Sequence, residues 1–242
     1  MTRRILAASA ALAAAVACSN VDEVADGVIA LELRPPIPTT IELGDTAKFN
    51  ARALDVNGDS VAAAITWVTA DPANVEVVDA AQGLVVGLQP NVTGRVQAVI
   101  GSLRSGFQTL TVQARADTVR LVEPDTVTVA SEESASVPLV VAVESLDPAG
   151  PVAQRNVIYE IVDPAIPDPA LRPVEFTNGF IADTAATGPD GLTTGIQLRR
   201  VTGVQAPATV LVEVRALRLD GDPVPGSGQR FVVNFVAQGS LR

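Results

Sequence analysis

The 242-residue chain contains no histidine, one cysteine, one tryptophan, one tyrosine and six phenylalanines. Without histidine, Ser-His-Asp and Cys-His catalysis are excluded, and so is zinc hydrolysis of the usual kind. A single cysteine excludes an internal disulfide and any cysteine-ligated cluster. Lysine and arginine total 17 against 27 aspartates and glutamates, a net charge of −10. Nucleic acid selects for clustered positive charge, so it is not a partner this chain is built for. Aromatics make up 3% of the residues, too few for an array that stacks on sugars or on single-stranded bases. What is abundant is apolar: 48% hydrophobic against 18% charged, enough to bury a core. The composition describes a folded, acidic, chemically quiet chain that calls for no cofactor.

The N-terminus reads as an address. Arg3 and Arg4 precede an Ala-rich apolar run of 13 residues, Ile5-Leu6-Ala7-Ala8-Ser9-Ala10-Ala11-Leu12-Ala13-Ala14-Ala15-Val16-Ala17. That run is shorter than the ~20 residues a spanning helix needs, so residues 1–17 are expected to be a cleaved secretion signal. The only cysteine, Cys18, stands where the small-residue cleavage site belongs. Ala15-Val16-Ala17-Cys18 resembles the lipobox of bacterial lipoproteins. That resemblance implies that the Cys18 thiol receives diacylglycerol and becomes the mature N-terminus. It also implies sorting to the outer membrane, because Ser19 and not aspartate follows the cysteine. The alternative is a cysteine in an ordinary signal, with cleavage after Ala17 or just beyond. Residues 18–27 would then hold the lipidated cysteine and an acidic tether, Ser19-Asn20-Val21-Asp22-Glu23-Val24-Ala25-Asp26-Gly27. An acidic chain is repelled by anionic headgroups, so membrane contact would come through the lipid alone.

From residue 28 the apolar period is two. In Thr46-Ala47-Lys48-Phe49-Asn50-Ala51-Arg52-Ala53, the alanines and Phe49 fall on one face and the polar residues on the other. Residues 95–100 and 108–112 repeat the pattern, with turn chemistry at Asn57-Gly58, Asp71-Pro72 and Gly101-Ser102. Short strands at this spacing with no helical pattern between them predict an all-β sandwich. Four segments come in a telling order: Leu43-Gly44-Asp45-Thr46, Ile65-Thr66-Trp67-Val68-Thr69-Ala70-Asp71-Pro72, Val75-Glu76-Val77-Val78-Asp79 and Gly83-Leu84-Val85-Val86-Gly87-Leu88. Together they resemble a bacterial Ig-like group 2 domain over residues 28–114, with Pro90-Asn91 near the family's late glycine. Trp67 is expected on a central strand, with Ile65 and Thr69 on its face, as a core residue and not a sugar platform.

A second unit is expected from residue 117. Residues 137–146 and 208–217 read as long strands, 192–200 as another strand, and Val174-Glu175-Phe176-Thr177-Asn178-Gly179-Phe180-Ile181-Ala182-Asp183 as a hairpin closed by Asn-Gly. Val137 to Val143, Asp147-Pro148-Ala149-Gly150-Pro151-Val152 and Asp190-Gly191-Leu192-Thr193-Thr194 are similar to bacterial Ig-like group 1, invasin-type, domains over residues 117–237. The expected organisation is two tandem Ig-like β-sandwich domains, 28–116 and 117–242. Ala114-Arg115-Ala116-Asp117 has no Gly, Pro or Ser, so a tight elbow should join them. Ile29 and Leu31 recur as Val119 and Leu121, a weak internal repeat. Each unit is large enough to fold without a disulfide.

Few residues offer chemistry. Asp55-Val56-Asn57-Gly58-Asp59-Ser60 starts like a calcium loop, but Ser60 and Thr66 stand where glycine and the bidentate glutamate belong. An acidic hairpin is the expectation, with calcium at an interdomain seam left open, and no metal site is assigned. Glu132-Glu133, in a Ser-rich turn, is the one adjacent carboxylate pair after the tether that a glycosidase could use. Asn91-Val92-Thr93 matches a glycosylation sequon that a bacterial lipoprotein would not use. Residues 163–173 carry four prolines that favour polyproline II, a form partners bind with little entropy loss. Ile166, Pro167, Leu171 and Arg172 of that loop are the candidate partner-binding residues, the alternative being a rigid crossover between sheets. The resemblance to Ig-like families implies a lipid-anchored, non-catalytic adhesion, binding or spacer module of the cell envelope, with an envelope or surface protein as partner. A glycan- or peptidoglycan-binding module is the alternative, and a carboxylate-based hydrolase a remote one.

Overall fold

The computed structural model describes residues 27–165 and 172–237. Within them there are strands and turns and no α-helix. The first ten strands are β1 (Ala30–Ile37), β2 (Thr40–Glu42), β3 (Thr46–Leu54), β4 (Ser60–Val61), β5 (Thr66–Thr69), β6 (Val75–Asp79), β7 (Leu84–Gly87), β8 (Val92–Ile100), β9 (Leu103–Arg104) and β10 (Gln108–Gln113). They form two sheets, β1-β3-β7-β6 and β2-β10-β8-β5, with β4 on β3 and β9 on β8. β2 pairs with β10 in parallel and the other pairs are antiparallel. Lettered in chain order, this is the A-B-E-D sheet facing A′-G-F-C, the immunoglobulin arrangement.

Period-two patterning accounts for the layers. Along β3, Ala47, Phe49 and Ala53 are buried while Thr46, Lys48, Asn50 and Arg52 face solvent, where Arg52 pairs with Glu32 of β1. Phe49 meets Trp67 across the two sheets, ring centroids 5.5 Å apart and tilted by 54°. Trp67 is buried, but β5 is the edge of its sheet and not a central strand. A Trp at an edge needs cover, and Gly83 provides it. Its φ of +70° and the close approach of its backbone leave no room for a side chain: a Cβ would lie 2.5 Å from the Phe49 carbonyl oxygen and 2.7 Å from Trp67 Nε1. Asn91 takes the left-handed φ of 60° that asparagine tolerates better than other side chains.

The later strands are β11 (Thr118–Leu121), β12 (Thr126–Val129), β13 (Val141–Leu146), β14 (Ala149–Pro151), β15 (Asn156–Asp163), β16 (Val174–Phe176), β17 (Ala182–Ala186), β18 (Leu198–Arg200), β19 (Thr209–Ala216) and β20 (Gln229–Phe235). One sheet is β12-β20-β19-β15-β17, again with its first pair parallel. Facing it, β11-β13-β14 and β16-β18 are joined by the single bridges Leu139↔Ile196 and Ala142↔Leu192. The plan is the same Ig-like sandwich with β17 added at an edge.

Three expectations for this sandwich are corrected. Residues 137–146 contain a strand only from Val141, and residues 192–200 only from Leu198; the remainder touches its neighbours through isolated bridges. Pro138 lacks the donor a ladder needs, and Gly195 at φ +79° breaks the other segment. The hairpin expected across Asn178-Gly179 is absent. The turn forms, with Gly179 N donating to the Phe176 carbonyl at 2.8 Å, but β16 pairs with β18 whereas β17 pairs with β15. The Asn-Gly turn therefore carries the chain from one sheet to the other. Burial on opposite sheets outweighs local pairing.

Tyr159 of β15, wholly buried, spans the sandwich: its hydroxyl lies 2.7 Å from Thr193 Oγ1, which also accepts from Val141 N at 3.0 Å. Burial pushes its phenol up to about 12, against the lowering effect of the Thr193 hydrogen bond. Because the folded value exceeds the unfolded value of about 10, its contribution is complete below pH 10 and is lost as the pH climbs from 10 to 12. As the sole tyrosine, it can be followed by tyrosinate absorbance alone. Half-ionisation is expected near pH 12 in buffer and near 10 in urea; a midpoint near 10 with native Trp67 emission would place the ring in water.

Candidate functional site

Cys18, singled out for lipidation, and Ile166, Pro167 and Leu171, singled out for a partner, lie outside the described residues. Arg172 is described, and its guanidinium is engaged: Nε donates to Glu175 Oε2 at 2.6 Å. Glu175 is nearly buried and also accepts from Arg199 Nη2 at 2.7 Å. Burial would raise its carboxyl, but the hydrogen bonds from Arg199 and Arg172 outweigh that and hold it below its ordinary value. Arg172 therefore staples the end of the proline-rich segment to the sandwich and does not present a free charge.

The carboxylate candidates are spent on local turns. Glu133 Oε2 accepts from Ala130 N and Glu132 Oε2 from the Ser131 hydroxyl, both at 2.9 Å on the surface. Asp55 Oδ1 accepts from Asn57 N and Asp59 N, both at 2.9 Å, and those bonds hold its carboxyl below the usual range. The Asp55–Ser60 segment is the acidic hairpin turn between β3 and β4. Among the described residues no three His, Cys, Asp or Glu side chains are grouped as a metal site.

The most elaborate polar cluster lies between the two sandwiches, and nothing in the sequence pointed to it. Glu42, at the end of β2, and Arg155, just before β15, have side chains 1% exposed each. Arg155 Nε donates to Glu42 Oε1 at 2.9 Å, Nη1 to Gln113 Oε1 at 2.6 Å and Nη2 to the Ala114 carbonyl at 3.0 Å. Long contacts of 3.4 Å bring Ala116 N to Glu42 Oε2 and Leu219 N to Oε1. Gln113 Nε2 reaches Gln154 Oε1 at 3.2 Å, and Arg218 Nε holds the Ala116 carbonyl at 2.9 Å. Burial raises the Glu42 carboxyl against the charge of Arg155 and lowers the Arg155 guanidinium against Glu42. Every polar arm of the pair is used within the protein, so the cluster can hold two bodies together but has no open position for a substrate.

Beside it runs an open cleft of about 590 Å³ lined by Pro38, Thr40, Ile41, Gly44, Asp45, Thr46, Leu219 and Asp220. Its only ionisable groups are two aspartates, with no cation or titrating partner lining it.

The far end of the second sandwich is a cluster of loops. Arg200 Nη2 donates to the carbonyls of Val129, Ala130 and Val236 at 3.2, 3.0 and 2.9 Å, and its guanidinium sits 4.9 Å above the Phe235 ring. Val201 N reaches the Pro173 carbonyl and Phe235 N that of Ala208. Residues 130–136, 172–173 and 201–208 thus meet at one tip, with Val204 and Val236 exposed on it.

No protein-family model matches the chain, and no curated protein matches it. Among solved structures, it is similar to the adhesin InvE of Yersinia pseudotuberculosis, at 17% identity over 86% of this chain and 60% of that one, with a TM-score of 0.41. It is similar to the Escherichia coli adhesin FdeC at 13% identity over 86% of this chain and 64% of that one, TM-score 0.48. The D00-D0 domain of intimin is matched at 17% identity over 86% of this chain and all of that one, TM-score 0.31. The chain spans about 60% of the InvE structure's length. The Ig-like assignment rests on the strand order of the two sandwiches themselves.

Proposed function

We propose that this chain is a lipid-anchored, non-catalytic cell-envelope protein whose two Ig-like sandwiches act as a spacer that presents the tip loops to a protein partner. The observation that carries the reading is the path of the chain. In the first sandwich β1 starts opposite Leu54, at the end remote from Glu42; in the second, β20 ends opposite Thr209, remote from Arg155. The chain therefore runs through both sandwiches end to end. A lipid on Cys18 sets the tip loops at the membrane-distal end.

The test has two parts in cells. Cys18→Ser is expected to move the protein from the membrane pellet to the soluble fraction or leave it unprocessed; unchanged membrane extraction overturns the anchor. A photo-crosslinking residue at Val204 on the tip is expected to capture a protein, and one at Val56, 77% exposed at the opposite end, is not. Capture confined to Val56, or of peptidoglycan alone, would overturn the presenting role.

A further inference from the structure

We infer that Glu42 and Arg155 form a lock that makes the two sandwiches one mechanical body, with residues 114–117 as the hinge it immobilises. The inference is independent of lipid attachment.

The connection between the sandwiches is short: β10 ends at Gln113 and β11 begins at Thr118. Two bodies joined this way move relative to each other unless their interface prevents it. Ala114 and Ala116 are buried there and add little side-chain surface of their own. What fixes the junction is polar and reaches both ways from its backbone. The Ala114 carbonyl is held by Arg155 and the Ala116 carbonyl by Arg218, while Ala116 N faces Glu42. Asp117 continues the clamp, accepting from Leu146 N at 3.0 Å while Arg115 and Arg218 approach within 3.5 and 3.6 Å. Arg155 reaches β2, β10 and the exit of the first sandwich at once, from a backbone held by Thr187 Oγ1 at 3.0 Å. A charge buried so completely cannot lose its partner quietly. If the sandwiches swing apart both groups are rehydrated, but if one is deleted the other is stranded and the closed state is lost.

The chain carries its own reporters. Trp67, the sole tryptophan, sits in the first sandwich, and Tyr159, the sole tyrosine, in the second. Arg115 is a trypsin site within the hinge, its side chain 43% exposed while the next residue is fully buried. Cleavage of Arg115–Ala116 needs the hinge to open.

The experiment is trypsin digestion of the full chain in detergent, with the fragment ending at Arg115 followed by mass spectrometry. In the natural protein this cut is expected to be far slower than the cut at exposed Arg104. Arg155→Met is expected to speed it about 100-fold or more, with native Trp67 emission and Tyr159 ionisation. Arg155→Lys, which keeps the charge but loses the three-way fork, is expected to fall between. Equal cutting rates in the natural and Arg155→Met proteins, with both reporters native, would overturn the lock. So would rapid cutting at Arg115 in the natural protein. If Arg155→Met does not fold, urea unfolding of the natural protein decides: coincident Trp67 and Tyr159 transitions support a single body, and separate midpoints overturn it.

Discussion

Trp67→Ala is expected to destabilise the protein by about 3–5 kcal/mol, the range for removing a large aromatic from a core that cannot close over the gap. The gap cannot close because its walls are backbone. Gly83 already lies against the indole, and its carbonyl accepts the Phe49 N–H at 2.8 Å, so neither can advance without breaking a ladder bond. Trp67 also holds β5, an edge strand bonded to β8 on one side, over the core. Urea unfolding followed by far-ultraviolet circular dichroism measures the loss. Trp67→Phe should retain most of the stability because it keeps the ring contact with Phe49. An unchanged urea midpoint for the alanine variant would show that the indole is not part of the core.

Arg155→Ala carries an effect of similar size for a different reason. It leaves the Glu42 carboxylate buried without its cation, a defect of about 3–5 kcal/mol. The revealing comparison is the paired change Glu42→Leu with Arg155→Met. Removing both charges together lifts the desolvation cost of each, so the double variant should be more stable than either single one. Urea midpoints of the four proteins measure the coupling. Additive losses would mean that the two side chains act separately, and the ion pair would then contribute nothing as a pair.

Much of the architecture was legible because a half-buried strand writes its burial into alternate residues. Ala47, Phe49 and Ala53 against Lys48, Asn50 and Arg52 could be sorted without coordinates, and the structure sorts them the same way. Trp67 was legible as a core residue, but its position at a sheet edge was not, since strand order depends on distant partners. The Asn178-Gly179 turn was read correctly as a turn and incorrectly as a hairpin. Turn chemistry is local, whereas the choice between β15 and β18 as pairing partners is made by the sandwich as a whole.

What the sequence by itself determined is the all-β character, the faces of its strands and the turns between them, since each follows from neighbours within a few residues. The tertiary structure alone decided the fate of Glu42. Alternation along Thr40-Ile41-Glu42 would send Ile41 inward and Glu42 to water, yet both are buried. Arg155, 113 residues later, and the backbone of Leu219 close over the carboxylate as the second sandwich seats on the first. A surface glutamate becomes a buried one because the fold brings another domain to it, and that contact has no period along the chain.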